Sequence, residues 1–311
     1  MKKLMMSVVA GLAVSAAVAD GVSPFAISLA APIQFPSTSY DIYGLRLGGF
    51  FTNSRDVYGL DLGTANLNYG VMGGVQFGGF NWVEGHCYGL EVGALADVVH
   101  GLVEGVQLSC YNWTAAYTYG IQFGAVANVV RGEMRGFQLG TANIVSGEFN
   151  GIQFGGFNWV ENDFNGWQGG LVANVTHGDM TGLQSSFVNI AFGDNLVGVQ
   201  SGLFCNYSIS QNGVQNSMFN WVAGTMRGWQ NGIINVCREQ GIGFASAAWL
   251  NHMHNYTGFM LGGINVVDDG FGLQMGIVNC ATSFKGVQIG VVNIISDSLF
   301  ITALPVVNMS F

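Results

Sequence analysis

The sequence predicts an all-β fold, a β-solenoid of about 18 stacked coils of 14–16 residues, and three observations carry that prediction. One short phrase recurs seventeen times between Gly44 and Gly286: glycine, apolar, polar, apolar, then a small residue, with an asparagine seven or eight positions after the glycine. Glycine recurs too often for helices, at roughly 1 kcal/mol apiece against alanine, whereas the alternation of Val75, Gln76 and Phe77 and its copies has the period of a strand. Neighbouring repeats also carry the same residue in the same place. A parallel stack favours this, because each residue then lies about 4.8 Å above its equivalent and amide side chains pile into ladders.

In chain order, Lys2 and Lys3 precede an apolar run from Leu4 to Ala19 that ends Ala17-Val18-Ala19. The run is too short to span a bilayer and reads as an export signal cleaved after Ala19. Its removal takes two of the nine basic residues and none of the eighteen acidic ones, so the net charge moves from −9 to −11. Such a chain lacks the basic footprint that nucleic acid requires. Charged residues are 9% and apolar residues 50% of the chain, which excludes disorder. Residues 20–41 form a loosely ordered lead-in or cap, and residues 42–311 form a single repeat array with a C-terminal cap strand.

Within the array the clearest repeats place Gly74, Gln76, Gly78 and Asn81, then Gly136, Gln138, Gly140 and Asn143, then Gly151, Gln153, Gly155 and Asn158, and finally Gly286, Gln288, Gly290 and Asn293 in the four marked slots. These are the structural anchors of the coil. The third position is glutamine in twelve of the seventeen repeats, and Arg46, Asp61, Glu91, Ala245 and Met260, which replace it, are read as ladder ends or exposed rungs. In a straight strand the seven-step repeats put Gln76 and Asn81 on opposite faces, while the eight-step repeats put Gln122 and Asn128 on one face. A bend at the small fifth residue removes the conflict.

A closed antiparallel barrel in an outer membrane, able to act as a pore, stays open as the alternative. The chain ends with apolar residues on alternate positions, Ile301, Ala303, Pro305, Val307, Met309 and Phe311, and its scarce charge suits a barrel wall. From Gly44 to Phe311 the repeat also resembles that of bacterial secreted surface repeat-containing proteins, whose units read glycine, apolar, glutamine, apolar, glycine, apolar, apolar, asparagine. The resemblance implies a Gram-negative envelope or surface location and no established reaction.

Chemistry-bearing residues are sparse. His252 and His254 could share a strand face and bind a metal, but Glu239 and Asp268 are over ten positions away in sequence, so both read as solvated. Asp268 and Asp269 are adjacent and point to opposite faces. Most carboxylates, among them Glu84, Glu104, Glu133, Glu148, Glu161, Asp163 and Asp179, follow the asparagine slot and mark a solvated edge. Cys87, Cys110, Cys205, Cys237 and Cys280 never fall at one phase in adjoining repeats, so free buried thiols are expected. Trp82, Trp113, Trp159 and Trp221 each follow the asparagine. They are either core or an outward aromatic strip for sugar, lipid or protein, and core is the favoured reading. No catalytic set, metal site or cofactor is implied. The sequence therefore points to an exported, non-enzymatic scaffold or interaction surface, whose partner is a protein, a glycan or another envelope component, with membrane association left open.

Overall fold

A computed structural model describes residues 21–298 and 302–310, so the expected export signal lies outside the described residues. The chain groups into two compact units, residues 1–155 and 156–311. No described residue is helical. In the first unit β1 (Val22–Ala30) lies parallel to β3 (Asp41–Ser54), and β2 (Ile33–Phe35) folds back antiparallel on β1. The lead-in is therefore an ordered cap, because its backbone groups join the first ladder. The chain then winds through β4 (Val57–Leu62), β5 (Ala65–Asn68), β6 (Met72–Val83), β7 (Cys87–Val99), β8 (Val103–Thr114), β9 (Thr118–Val130) and β10 (Met134–Val145) before β11 (Phe149–Val160) carries it into the second unit.

That second unit continues with β12 (Phe164–Thr176), β13 (Met180–Ala191), β14 (Leu196–Ser208), β15 (Gln211–Asn216) and β16 (Phe219–Val222). There follows a 70-residue run of extended backbone, β17 (Met226–Ile295), in which the coils succeed one another without an intervening turn. The repeat shortens to 14 residues within this run, between Gly258, Gly272 and Gly286. β18 (Ala303–Ser310) lies antiparallel on the last coil.

Coil stacks on coil in parallel and in phase. Gly105, Gln107 and Asn112 of β8 lie opposite Gly120, Gln122 and Asn128 of β9, and Gly182, Gln184 and Asn189 of β13 lie opposite Gly198, Gln200 and Asn206 of β14. An up-and-down barrel needs antiparallel neighbours, so the barrel alternative is overturned and the fold is a β-solenoid. Of the alternating apolar ending that suggested a barrel, Ala303, Pro305, Val307 and Met309 belong to the cap strand.

The parity conflict is settled where the bend was expected. Register slips between Ser109 and Tyr111, between Gly140 and Ala142, and between Ser186 and Val188, always just after the small fifth residue. The bulge returns asparagine to the interior in both repeat types. In the eight-step repeats the additional residue turns outward, so that Leu95 and Leu171 are 68% and 84% exposed. The opening glycine is fixed by contact as well as by angle. Gly120 has φ of +151°, and a Cβ there would lie 1.9 Å from the carbonyl oxygen of Gly105. Only a residue without a side chain fits both demands.

Four columns of side chains fill each coil. Two residues before the opening glycine comes an apolar column, with Met72, Cys87, Val103 and Met134 in the first unit and Met180, Leu196 and Met226 in the second. The glutamine column, the asparagine column and a second, largely apolar column two residues after the asparagine, exemplified by Val83, Val130 and Val145, complete the core. The amides are inside, and most of the large apolar residues between them are outside.

Candidate functional site

Interior and exterior have to be read together, because the repeat inverts the usual distribution of polarity. Inside, Gln122 Nε2 donates to Gln107 Oε1 at 2.7 Å, and Gln138 and Gln153 each donate to the glutamine of the preceding coil at 2.8 Å. The asparagine column runs the other way. Asn112 Nδ2 donates to Asn128 Oδ1 and to the Phe123 carbonyl, both at 2.8 Å, so one amide ties its neighbour's side chain and its neighbour's corner. Buried amides are tolerated because nearly every donor meets an acceptor.

The anchors named from the sequence fall into these roles. Gly74, Gly136, Gly151 and Gly286 hold positive φ. Gly78 and Gly140 leave room for the asparagine: a Cβ on Gly78 would stand 2.5 Å from Asn81 Oδ1, and one on Gly140 2.8 Å from Asn128 Nδ2. Gly155 occupies the same fifth slot, and a Cβ on Gly290 would lie 2.3 Å from the Gly276 carbonyl. Gln76 donates to Asp61, and Gln288 donates to Gln274 at 2.6 Å. Asn81 donates to Asp97, Asn143 to the Phe154 carbonyl, Asn158 to Asn174, and Asn293 to the Leu304 carbonyl in the cap strand.

Residues replacing glutamine are not exposed rungs; all five are buried. Arg46 begins the column as a bidentate donor to Asp61, at 2.7 and 2.5 Å, and Asp61 also accepts from Gln76. Ala245 and Met260 interrupt the column, which leaves Gln230 Oε1 and Gln274 Nε2 without partners on either side of the gap. Large apolar groups, among them Met253 and Tyr256, fill the core there instead.

Glu91 and Asp97 stand in the glutamine and asparagine slots of a single coil. Gln107 donates to Glu91 Oε2 at 2.8 Å and Asn81 to Asp97 Oδ1 at 2.7 Å, while Glu91 Oε1, Asp97 Oδ2 and Gln76 Oε1 find no partner. An amide at position 91 would donate to Gln76, and a protonated carboxyl is the acid that can do the same. Burial pushes the Glu91 carboxyl up to about 8, with the nearby charge of Asp97 adding to the rise. Burial likewise lifts Asp97 to about 7, against the lowering effect of the Asn81 hydrogen bond. Sequence reading missed this pair. Its signal was available: two acids sit in slots where the neighbouring repeats carry amides.

Outside lies the edge formed by the connections. Trp82, Trp113, Trp159 and Trp221 are half-buried and point away from the interior, which corrects the core reading, since each sits between two inward residues. They do not make a free aromatic strip either. His100 packs between Trp82 and Trp113, with ring centroids 4.8 and 5.0 Å away, and His177 packs between Trp159 and Phe192 at 4.5 and 5.0 Å. Arg131 lies over Trp113 and Arg238 over Trp221. His254 Nδ1 meets Asp268 Oδ2 at 2.6 Å because the two residues are one 14-residue coil apart. Their separation in sequence, which argued against a pairing, is the separation that stacks them. His100, His177 and His254 come from different coils, and no group of three potential metal ligands gathers among the described residues.

All five cysteines are free. Only Cys87 and Cys237 are buried, however; Cys110, Cys205 and Cys280 are half-buried, because their phases fall on outward positions. Burial raises the thiols of Cys87, Cys205, Cys237 and Cys280, which disfavours the reactive thiolate.

What remains exposed is apolar. At the second and fourth positions of the first unit every residue from Leu45 to Phe154 is leucine, valine, isoleucine or phenylalanine, and none is buried. The second unit departs from this: six consecutive fourth positions are Gly169, Ser185, Ser201, Asn216, Asn231 and Ser246. Comparison with protein-family models, curated proteins and solved structures returns no match.

Proposed function

We propose that the chain is an exported, non-enzymatic repeat protein of the cell envelope or surface, working as a scaffold through its outer faces. One observation supports this reading above the others: coil after coil turns its amides inward and presents leucine, valine and phenylalanine to the surroundings. Monomeric proteins rarely leave large apolar patches uncovered, so such faces mark contact surfaces. The side chains capable of chemistry support the reading too, since His100, His177 and His254 sit in separate coils and are held against aromatic rings or a single carboxylate. The N-terminal segment read as an export signal and the resemblance to secreted surface repeat proteins support a location outside the cytoplasm.

Fractionation of the natural host tests the proposal. The expected result is a chain whose N-terminus is Asp20 by mass spectrometry, found with the envelope and released by an alkaline carbonate wash. A cytoplasmic chain that keeps Lys2 and Lys3 contradicts export, and a hydrolytic activity abolished by one substitution contradicts the non-enzymatic part.

A further inference from the structure

We infer that the apolar face of the first unit, built from the second and fourth positions of its coils, is a self-docking surface that pairs with the same face of a second copy of this chain. The inference names the partner of the scaffold proposed above and rests on that reading. It begins with composition: Val75, Phe77, Leu108, Ile121, Phe123 and Leu139 belong to two adjoining columns that contain no polar residue through the unit. In the second unit the equivalent fourth column is small or polar across six coils, so a coil of this design does not need an apolar residue there. The apolar fourth column is dispensable for folding and calls for another explanation.

Area is the next consideration. Eight coils, opening at Gly44 through Gly151, stacked at about 4.8 Å and presenting two outward columns, or about four residues of strand at about 3.3 Å each, make a face of roughly 510 Å². Two such faces together cover roughly 1,000 Å², which reaches the lower bound of a specific interface. Spacing favours the same choice. Rows of side chains repeat at the coil rise, and a second copy offers rows with an identical repeat, so the two faces stay in step along their length. A partner lacking that repeat falls out of step within a few rows. An isologous pair of this kind closes with two-fold symmetry and leaves no free copy of the face.

Charge argues against a lipid surface as the occupant. Interfacial binding to anionic lipid is favoured by lysine and arginine around an apolar face, whereas the charges outside the core of this unit are mainly acidic, Asp41, Asp56, Glu84, Glu104, Glu133 and Glu148 against Arg55, Arg131 and Arg135. In a face-to-face pair those carboxylates stay at the wet rim.

Sedimentation velocity of the mature chain over a concentration series tests the inference, alongside the variant F77S/F123S/L139S. Serine is chosen because the second unit already carries it at this position in Ser185, Ser201 and Ser246. The wild type is expected to sediment as a dimer at micromolar concentration, and the variant as a monomer with a dissociation constant raised at least a hundredfold and an unchanged far-ultraviolet circular dichroism spectrum. A second variant, I277S/V291S, alters exposed residues of the second unit and is expected to remain dimeric. A monomeric wild type, or assemblies that the first variant leaves intact, overturns the inference. Flotation of a monomeric wild type with phosphatidylcholine or phosphatidylglycerol vesicles also overturns it and assigns the face to lipid. If the wild type is monomeric yet the processed chain is still found with the envelope, self-docking fails while the scaffold reading stands.

Discussion

A carboxylic acid in an amide slot is the sharpest single-residue feature of this molecule. Glu91 and Asp97 lie in the interior with their unpartnered oxygens facing positions where the ladder calls for a donor. Around them are Asp61 and Arg46 from the coils before, Cys87 on the same coil, and the amides of Gln76, Asn81 and Gln107. Both carboxyls have folded pKa values above their ordinary values of 4.5 and 3.8. Between the unfolded and folded values the native state holds more protons than the unfolded chain, so the slope of unfolding free energy with pH is negative. Stability from this coil is therefore fully present below about pH 4 and is lost as pH rises toward about 8. Urea midpoints measured from pH 5 to pH 9 should fall for the wild type and fall less for E91Q/D97N, which supplies permanent donors. A variant no more stable than wild type at pH 9 would rule out protonation as the reason for the slope.

At the scale of the coil, the ordinary hydrophobic expectation reverses between adjacent residues. Gln122 is completely buried, donates to Gln107 and accepts from Gln138, while its neighbour Phe123 is 37% exposed. Gln122→Leu replaces a polar group by an apolar one at a buried site and is nonetheless expected to cost about 2–5 kcal/mol, because it leaves buried amide atoms of the ladder without partners at about 1–3 kcal/mol each. Phe123→Ser, measured in dilute solution, is expected to cost about 1 kcal/mol or less, in line with a change on an exposed strand position. Equilibrium unfolding of both variants checks the pair, and the opposite order of midpoints would refute the inside-out arrangement. Much of this arrangement was legible in the chain. Glycine and asparagine at fixed slots specified corners, identity between repeats specified parallel stacking, and the mismatch between Gln76–Asn81 and Gln122–Asn128 located the bulge. The fate of Trp82 and its equivalents was not legible, because a residue beside asparagine faces in or out according to where the bulge resets the pleat. The pairing of His254 with Asp268 is hidden for a different reason: residues 14 apart in sequence become neighbours only because one coil is 14 residues long there.

Across the molecule, both compact units use one device, a narrow interior of opposed amide ladders flanked by apolar columns, and differ in what they show to the surroundings. The first unit begins with a charged start to its ladder at Arg46 and Asp61 and keeps an entirely apolar outer face at the second and fourth positions. The second unit breaks its ladder at Ala245 and Met260 and carries serine and asparagine on the corresponding outer column. A repeat that is uniform inside and divergent outside separates folding from contact, which is how a scaffold can vary its partners without losing its architecture. All of this depends on equivalent positions of successive repeats lying side by side. Pairwise cysteine cross-linking with peptide mapping tests that dependence at the residue before the opening glycine, near one end of the strand. Glu104 and Tyr119 are exposed and lie opposite each other on β8 and β9. In a parallel stack E104C/Y119C falls within the roughly 4.4–6.8 Å between Cα atoms that a disulfide requires and should bridge readily under mild oxidation, while E104C/R135C, two coils apart at about 10 Å, should not. Consecutive strands running up and down would put residues 104 and 119 at opposite ends, so failure of E104C/Y119C to bridge would contradict the solenoid.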